Sequence, residues 1–351
     1  MKNGLTQPQL PVKDASTVDS RFLADMQDLF AKRRVAHIGN YRYSQPNYEH
    51  DIVNGLAIWN RISERAKQGG KYYIFSDEVE MIAQNFPEIE SLLPDELVLV
   101  DLGPGSKEAI TDKIGSVIGT LRGKIVEYIA VDLVPDILTN AEAVFTNKFP
   151  SIKFSEIQGD MFEPLSLPAE KPRLSVVFGQ TLFNVDINPH SGEEAKSRIV
   201  KMLSGLRHNL RPEDKLVIPQ NCSEKLDELM DAYWEQKEIW ENLMHRVKRD
   251  LLNPDVSGSD IGTFSPEAFE FEPYWVNSAQ IMSHTLVAKE FMQFTLGGEP
   301  FSIRKGERFY CHNTAIYPAS TFEHMTKKAG LKTFYQAVNP KGRMALHGLE
   351  L

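Results

Sequence analysis

The clearest pattern in this chain begins at residue 97, where short apolar runs alternate with longer segments whose apolar residues recur at helical spacing. Short runs of this kind, bounded by turn residues, are typical of buried strands. Predicted strands cover residues 97–103, 126–133, 152–161, 173–180 and 215–220, and predicted helices cover 107–123, 134–149 and 192–210. Strands separated by helices of this length predict right-handed crossovers and a mostly parallel sheet.

Both ends of the chain add further elements. Helical spacing predicts helices over 21–34 and 51–68, and a third helix that begins after Ser76. After Pro219 the pattern predicts a long amphipathic helix (225–252), a Ser/Gly/Pro-rich loop (253–269) and strand-like segments (280–294 and 299–317). A helix, a strand, a turn and a last strand (320–351) would close a doubly wound sheet with an antiparallel hairpin.

Charge and composition narrow the range of partners. The formal net charge is −9, and no basic tract or interleaved basic and aromatic stripe occurs, so nucleic acid is not an expected partner. No run reaches the roughly 18 apolar residues of a membrane span, and the N-terminal stretch has no apolar core. Cys222 and Cys311 are too few and too far apart for a disulfide framework or a metal site. We expect a cytoplasmic, metal-free monomer or homodimer with reduced thiols.

The stretch VLVDLGPGSKEAI (98–110) is the strongest chemical motif, because a buried strand runs into a glycine-rich turn and then a helix. Gly103 and Gly105, followed by Ser106, let the backbone approach a ligand without a Cβ in the way. A dinucleotide-binding loop would place a third glycine where Glu108 stands. A carboxylate there suits a cofactor with a positively charged amino acid moiety, although a G-x-G pair alone is equally compatible with a simple turn.

Acidic residues also end the next two predicted strands. Asp132 would accept hydrogen bonds from two ribose hydroxyls, and Gly159, Asp160 and Met161 would hold the amino group and the face of an adenine. Taken singly, Asp132 also suits a helix N-terminus, and a Gly-Asp pair also suits a turn. Ligands of open α/β sheets bind at the carboxyl ends of the strands. Three such features at successive strand ends therefore predict an S-adenosylmethionine site.

From about residue 50 to its end, the sequence resembles the methyltransferases typified by the histidine Nα-methyltransferase of ergothioneine biosynthesis. KYYIFSDE resembles that family's E-Y-Y-P-T-R-x-E, DLGPGS its E-L-G-S-G-S, and FGQTLFNVDINP its G-S-T-I-G-N-L. AVDLVPDIL, GDMFEPL, the helix that carries Tyr233, and GERFYCHNTAIYP followed by KKAGL agree in order and spacing.

The resemblance implies an S-adenosylmethionine-dependent N-methyltransferase that acts on a free amino acid or a derivative in small-molecule biosynthesis. It also implies an α/β fold with a Rossmann-like class I methyltransferase sheet and a second α+β substrate lobe. Residues 76–219 and 316–351 would form the Rossmann-like domain. Residues 1–75 and the insertion 220–315 would form the substrate lobe.

The same resemblance assigns roles to residues of the site. Asn184 and Tyr233 would hold the α-carboxylate of the substrate, although the pattern alone favours a turn residue and a core residue at these two positions. A tyrosine of the pair Tyr72 and Tyr73, with Tyr73 favoured, and the backbone near Gly179 would position the amine. We place Gly179 with the cofactor-binding residues and Tyr72 with the substrate-binding residues.

Two departures from the family change the expected substrate. The histidine enzymes of the family bind the imidazole with a Glu and a Ser two residues apart, and a gapless alignment puts His312 and Thr314 at those positions. A carboxylate that accepts a bond from an imidazole N–H cannot be replaced by a histidine without changing what is bound. Thr314 becomes a substrate-binding candidate and His312 a candidate base or specificity residue. Histidine is therefore not the expected substrate.

Two groups of residues bear on the substrate that replaces histidine. The loop GNYRYSQPNYEH (39–50), in which Tyr43 is the candidate contact, favours an aromatic amino acid. The acid-rich surroundings of Glu267, Glu270 and Glu272 favour arginine. Two alternatives lie outside this class: a nicotinamide-dependent oxidoreductase, against which Glu108 argues, and a methyltransferase-like protein that binds a ligand without turnover.

Overall fold

The computed structural model describes residues 20–32, 55–185, 187–253 and 256–351. Its strands are β1 (Leu97–Leu102), β2 (Ile125–Asp132), β3 (Lys153–Gln158), β4 (Arg173–Val176), β5 (Lys215–Asn221), β6 (Phe269–Val276), β7 (Ile281–Ala288), β8 (Met292–Leu296), β9 (Glu299–Ile303), β10 (Arg308–Ala315), β11 (Lys332–Val338) and β12 (Met344–Glu350). Its helices are α1 (Ser20–Phe30), α2 (Gly55–Lys67), α3 (Tyr73–Glu90), α4 (Gly115–Thr120), α5 (Pro135–Lys148), α6 (Gly192–His208), α7 (Leu226–Trp234), α8 (Lys237–Leu251) and α9 (Ala319–Lys328).

Seven strands form one sheet in the order β11-β12-β5-β4-β1-β2-β3. The strands from β5 to β3 in this order pair in parallel, whereas β12 runs antiparallel to β5 and β11 antiparallel to β12. Parallel strands separated by helices, closed at one edge by an antiparallel hairpin, form the Rossmann-like sheet that the sequence predicts. The predicted fold class is confirmed.

The continuous apolar pattern of β1 is explained by two cores, one on each face of the sheet. Val98, Val100 and Leu102 pack into the core on one face, and Leu97 and Leu99 pack into the core on the other. Side chains alternate between the faces of a strand, so a strand covered on both faces needs apolar residues at nearly every position. Helices cover both faces and leave the carboxyl ends of the strands open to a ligand.

A second group of elements surrounds a smaller sheet in the order β10-β7-β6 and the hairpin β8-β9. Its core joins Phe22 and Met26 of α1 to Trp240 of α8 and Phe271 of β6. This core therefore combines the N-terminal helix with residues of the predicted insertion. The proposed domain boundaries remain predictions.

The predicted helix over 225–252 is wrong as a single element. The structure divides it into α7 and α8, with the break at Glu235 and Gln236. Tyr233 on α7 packs into the cluster beside α2, whereas Trp240 on α8 packs into the core of the smaller sheet. A straight helix could not turn its apolar face toward both.

Strand β6 is missing from the sequence prediction, which assigns a loop up to residue 269. Its residues alternate between buried and exposed positions over much of its length, the pattern of a strand with one solvated face. Pro273 interrupts the pattern, but β6 is an edge strand, where a proline is tolerated.

The start of α3 is also corrected. We expect this helix after Ser76, but it begins at Tyr73, and the Ser76 hydroxyl donates a hydrogen bond to the Tyr73 carbonyl at 3.1 Å. Ile74 and Phe75 are buried in the cluster that contains Tyr233. Tertiary packing of these apolar residues therefore extends the helix by one turn beyond its local start signal.

The described residues contain neither a candidate membrane span nor a candidate metal-binding group. No helix there combines the length and apolar character that a bilayer span requires. In the same ranges, no three side chains from His, Cys, Asp or Glu lie together as a metal-binding group.

Helix α6 holds the loop after β3, which carries Asp160 and Met161. The side-chain amide of Asn209, directly after α6, donates to the carbonyls of Met161 at 3.2 Å and Glu163 at 2.9 Å. Gly205 lies so close that a Cβ there would be 2.2 Å from the Phe162 carbonyl oxygen. The helix therefore fits this loop only because residue 205 has no side chain.

We predict that Gly205→Ala destabilises the protein by about 1–3 kcal/mol, because helix and loop must move apart. Gly119→Ala is the matched control, since a Cβ there meets no atom within 4 Å and alanine favours a helix. Thermal unfolding of both variants checks the expectation. Equal melting temperatures for the two variants would contradict it.

Candidate active site

One cavity lies where the carboxyl ends of β1 and β4 meet α2, α3, α7, β7 and β10. It joins predicted cofactor residues to predicted substrate residues. The predicted residues that line it are Tyr72, Gly103, Gly105, Ser106, Gly179, Asn184, Tyr233 and Thr314. Residues 98–110 and the elements after Pro219, far apart in sequence, thus form one site.

The glycine-rich turn adopts the conformation for which glycine is required. Gly103 has φ +88° and Gly105 has φ +69°, values that L-residues with a side chain rarely adopt. A Cβ on Gly103 would also lie 3.2 Å from the terminal methyl carbon of Met161. Ser106 is buried, and its Oγ accepts a hydrogen bond from the Ala109 amide at 3.1 Å. It thereby supports the π-helical turn Ala109–Ile114 that follows.

The carboxylate in the cavity comes from Glu78 and not, as the motif suggested, from Glu108. Glu108 does not line the cavity, and burial raises the pKa of its carboxyl group. Glu78 lines it, and its Oε1 accepts a hydrogen bond from the Gly179 amide at 2.6 Å. The sequence contained a signal for this residue, since Glu78 is the last residue of KYYIFSDE, the stretch that resembles the family's E-Y-Y-P-T-R-x-E.

Lys113 is the positive partner of Glu78. Its Nζ lies 3.0 Å from Glu78 Oε2, and the two side chains are 5% and 0% exposed. The ammonium also lies 4.8 Å from the centroid of the Phe75 ring. Both charges line the cavity, so it presents a positive and a negative group together. Sequence reasoning missed Lys113, because nothing in a helical segment shows that this lysine points inward.

The predicted adenosine-binding residues lie beside the cavity, at the ends of β2 and β3. The Oδ1 atoms of Asp132 and Asp160 each accept a backbone hydrogen bond at 2.9 Å, from the amides of Val134 and Phe162 respectively. Burial raises the pKa of Asp132 to about 6. Gly159 donates its amide hydrogen to the Asp132 carbonyl at 3.1 Å. The structure therefore brings these acids together at one sheet edge, next to Gly103.

The opposite wall contains Asn184, Thr314 and Tyr233. Asn184 follows the 3-10 turn Thr181–Phe183 and forms an antiparallel backbone bridge with Thr314. The Thr314 hydroxyl donates to Asn184 Oδ1 at 3.0 Å. Tyr233 is buried, and its ring meets the His284 ring edge-on at 5.3 Å between centroids.

Two lining residues of this wall were not predicted. His284 on β7 packs against Tyr233 and lies within 3.3 Å of the Thr314 hydroxyl. Gln236, at the break between α7 and α8, is buried, and its Oε1 has no hydrogen-bond partner among the described residues. An amphipathic pattern does not show a helix break, so the sequence did not predict Gln236 as a residue of the site.

Among the described residues, the predicted catalytic residues Tyr73 and His312 do not line this cavity. Tyr73 donates its hydroxyl to Asn221 Oδ1 at 3.2 Å, beneath the Arg343 guanidinium, and burial raises its pKa to about 12. His312 lines a second cavity and packs against Trp240, with 5.9 Å between ring centroids. Tyr43 lies outside the described residues. The acid-rich set Glu267, Glu270 and Glu272 is also absent from the lining.

Comparison with known proteins places this site in a family. Residues 44–351 match the family described as histidine-specific, S-adenosylmethionine-dependent methyltransferases. The uncharacterized protein y4iF of Sinorhizobium fredii is 26% identical over 235 residues, which are 66% of this chain and 73% of that protein.

Solved structures with similarity to this chain include two methyltransferases. An S-adenosylmethionine-dependent methyltransferase from Clostridium acetobutylicum has a TM-score of 0.43 and 14% identity, covering 84% of this chain and 98% of that chain. The amino pentose methyltransferase CalS10 from Micromonospora echinaspora, solved with S-adenosylmethionine, has a TM-score of 0.40 and 11% identity, covering 88% and 100%. The family match spans most of the chain, and the predicted resemblance is confirmed: this protein belongs to the S-adenosylmethionine-dependent methyltransferases of the histidine-specific family.

Proposed function

We propose that this protein transfers a methyl group from S-adenosylmethionine to the amino nitrogen of a free amino acid or a close derivative. The proposed acceptor carries an aromatic side chain such as that of phenylalanine, tyrosine or tryptophan, and is not histidine. The observation that carries the proposal is the single cavity in which the glycine turn, a buried charge pair, and Asn184 with Tyr233 face one another. The family supplies the methyltransferase activity and the cofactor. The acceptor is inferred from the walls of the cavity.

The described residues fit the cofactor at both of its ends. Its methionine part carries a carboxylate and an ammonium, which match the buried charges of Lys113 and Glu78. Its ribose carries two hydroxyls, which match the acceptor oxygens of Asp132. The positive φ angles of Gly103 and Gly105 leave the space that a backbone-bound ligand needs. When bound, the cofactor supplies a methyl group on a sulfonium centre.

The acceptor wall supports an α-amino acid. Asn184 and Tyr233 offer an amide and a hydroxyl to a carboxylate, as the family resemblance implies. Gln236 Oε1 is a buried acceptor without a partner in the described residues and would receive an N–H from the amine. Once the ammonium of the acceptor has lost a proton to solvent, that bond uses a hydrogen of the neutral amine, and the nitrogen lone pair stays free to face the methyl group. The new N–C bond would form as the S–C bond breaks, which leaves S-adenosylhomocysteine. Alignment and exclusion of water can then supply most of the rate.

The side-chain region of the cavity favours an aromatic substrate. Trp59, Tyr72, Phe75 and Phe178 line it, and aromatic walls suit a flat apolar group. Tyr72 therefore replaces Tyr73 as our candidate from the tyrosine pair. Arginine loses its support, because the acidic residues that favoured it lie outside the cavity.

Histidine is disfavoured by what the cavity offers an imidazole. Glu78 is the one carboxylate among the described lining residues, and it is engaged by Lys113 and the Gly179 amide. The Thr314 hydroxyl is bonded to Asn184. A buried imidazole N–H would have no carboxylate acceptor here, which costs binding free energy.

We expect the affinity for the cofactor product to depend on pH. Since the pKa of Asp132 is about 6, above its ordinary value of 3.8, the carboxyl group is protonated below about pH 6 and loses part of its acceptor capacity. The affinity for S-adenosylhomocysteine should be constant above that pH and fall by up to about tenfold per unit below it. Isothermal titration calorimetry across this range measures the effect.

Asp132→Asn is the matched control for this experiment. It should bind more weakly at neutral pH and lose the decline near pH 6, since its side chain does not titrate. It should not lower the melting temperature at neutral pH, because a buried acid with a raised pKa destabilises the folded state when ionised. A decline that survives in Asp132→Asn would assign the pH dependence to another group.

The affinity for the cofactor product should also depend on Lys113. We expect Lys113→Met to weaken S-adenosylhomocysteine binding by about 10- to 100-fold, because a charge-assisted hydrogen bond to the carboxylate is lost. Binding of 5′-methylthioadenosine, which lacks the amino acid part, should stay within about twofold of the wild-type value.

Two further variants control this comparison. Lys107→Met removes an exposed neighbouring cation and should change neither affinity. Lys113→Met alone leaves Glu78 buried without its partner, so Lys113→Met/Glu78→Gln keeps the test valid if the single variant unfolds. Equal losses for both ligands in the double variant would show that Lys113 acts on the cavity as a whole.

A third experiment tests the acceptor. The purified protein is first titrated with S-adenosylhomocysteine and with NAD, and binding of the former only is expected. It is then incubated with S-adenosylmethionine and each standard amino acid, and mass spectrometry records gains of one to three methyl groups. We expect gains on an aromatic amino acid and none on histidine. Cofactor binding without methylation of any amino acid would refute the proposed acceptor and favour a binding protein.

With the accepted amino acid, Asn184→Ala should raise KM by about tenfold and leave the affinity for S-adenosylhomocysteine unchanged. Asn188→Ala is the control, since Asn188 lies in the same loop but lines the second cavity. Unchanged kinetics in Asn184→Ala would contradict the proposal that Asn184 binds the carboxylate of the substrate.

A further inference from the structure

Behind the acceptor wall, four side chains form one continuous line of hydrogen bonds. The indole N–H of Trp240 donates to His284 Nδ1 at 3.1 Å. His284 Nε2 lies 3.3 Å from the Thr314 hydroxyl, and that hydroxyl donates to Asn184 Oδ1 at 3.0 Å. The line starts in the core of the smaller sheet and ends at a residue that lines the cavity.

The chemistry of each group fixes the direction of every bond in this line. An indole N–H can only donate, so His284 Nδ1 must accept, and the neutral imidazole then carries its hydrogen on Nε2. That hydrogen is donated to the Thr314 hydroxyl. The single hydroxyl hydrogen is therefore donated to Asn184 Oδ1, since a flipped Asn184 amide would leave this buried hydrogen without an acceptor. The remaining Asn184 amide group, which can only donate, is left for the cavity.

Burial makes this direction hard to reverse. Trp240, His284 and Thr314 are 0%, 1% and 2% exposed, so water does not compete for their hydrogen bonds. The His284 ring is also held between aromatic neighbours, with centroid distances of 5.3 Å to Tyr233 and 5.2 Å to both Trp240 and His312. Neither a ring flip nor an amide flip is possible without losing buried hydrogen bonds.

We propose that His284 and Trp240 are positioning residues that act through Thr314 to hold the Asn184 amide with its N–H groups toward the substrate. This inference rests on the proposed function. It adds that the site recognises the ionised α-carboxylate of the acceptor. An amide that can only donate binds a carboxylate and disfavours an uncharged carboxamide that presents its own N–H groups. The site therefore takes free amino acids in preference to their amides.

The line of hydrogen bonds is tested first without any substrate. Nitrogen-15 NMR of the histidine rings, assigned with His284→Gln, reports which ring nitrogen carries hydrogen. We expect His284 to be the Nε2–H form. An Nδ1–H form or an imidazolium would overturn the proposal, whether or not the protein methylates an amino acid.

The consequence is tested with probe pairs: L-phenylalanine, L-tyrosine and L-tryptophan, each compared with its own carboxamide. Binding to the protein loaded with S-adenosylhomocysteine is measured by calorimetry, and methylation by mass spectrometry. Thr314→Val and His284→Leu should reduce the preference for the acid by about tenfold, through KM rather than kcat. Thr314→Ser keeps the hydroxyl, and His284→Gln can accept from Trp240 and donate to Thr314, so both should retain the preference.

The outcomes separate this proposal from the function on which it rests. An unchanged preference in Thr314→Val and His284→Leu, in protein that still binds S-adenosylhomocysteine with wild-type affinity, would overturn the positioning role and leave the proposed function standing. An equal loss of the preference for the acid in Thr314→Ser and His284→Gln as in Thr314→Val and His284→Leu would also overturn the positioning role. Packing, and not hydrogen-bond direction, would then be responsible for the preference. If no acid or amide binds the wild-type protein, the proposed acceptor fails and the selection of a carboxylate fails with it.

Discussion

The buried ion pair between Glu78 and Lys113 is the constraint on which the site depends. An ionised side chain without a partner is very costly in a protein interior, so the two must stay together. Glu78 belongs to α3 and Lys113 to the turn after the glycine loop, while the Gly179 amide that Glu78 also binds follows β4. One carboxylate thus holds three segments around the cavity. The same two charges are the ones proposed above to meet the amino acid part of the cofactor.

The sheet contributes to the site through its strand ends. Because β1 is covered on both faces, the cavity meets this strand at its carboxyl end, where Gly103 begins the turn. The neighbouring ends of β2 and β3 carry Asp132 and Asp160 at the same edge. Each of these carboxylates accepts its own local backbone hydrogen bond, but the parallel pairing of the strands brings both to the same edge of the sheet.

The side of the cavity opposite the glycine turn is built differently, from elements that meet only in the folded chain. The break between α7 and α8 places Tyr233 and Gln236 on the cavity while Trp240 enters another core. Antiparallel pairing of β7 with β10 puts His284 beside Thr314. Thr314, aligned with an imidazole-binding serine of the family, here bonds Asn184 instead. The proposed change of substrate within the family rests on this difference.

The sequence by itself determined the alternating strands and helices, the closing hairpin, the glycine turn and the family, because these depend on local periodicity and short motifs. The resemblance of the sequence to that family predicted Asn184, Tyr233 and Thr314 as residues of the site. Only the tertiary structure decided that Glu78 rather than Glu108 faces the cavity, that Lys113 points inward, and that His284 rather than His312 lines the same cavity. Periodicity gives the face of an element, but which cavity that face meets depends on contacts between residues distant in the chain.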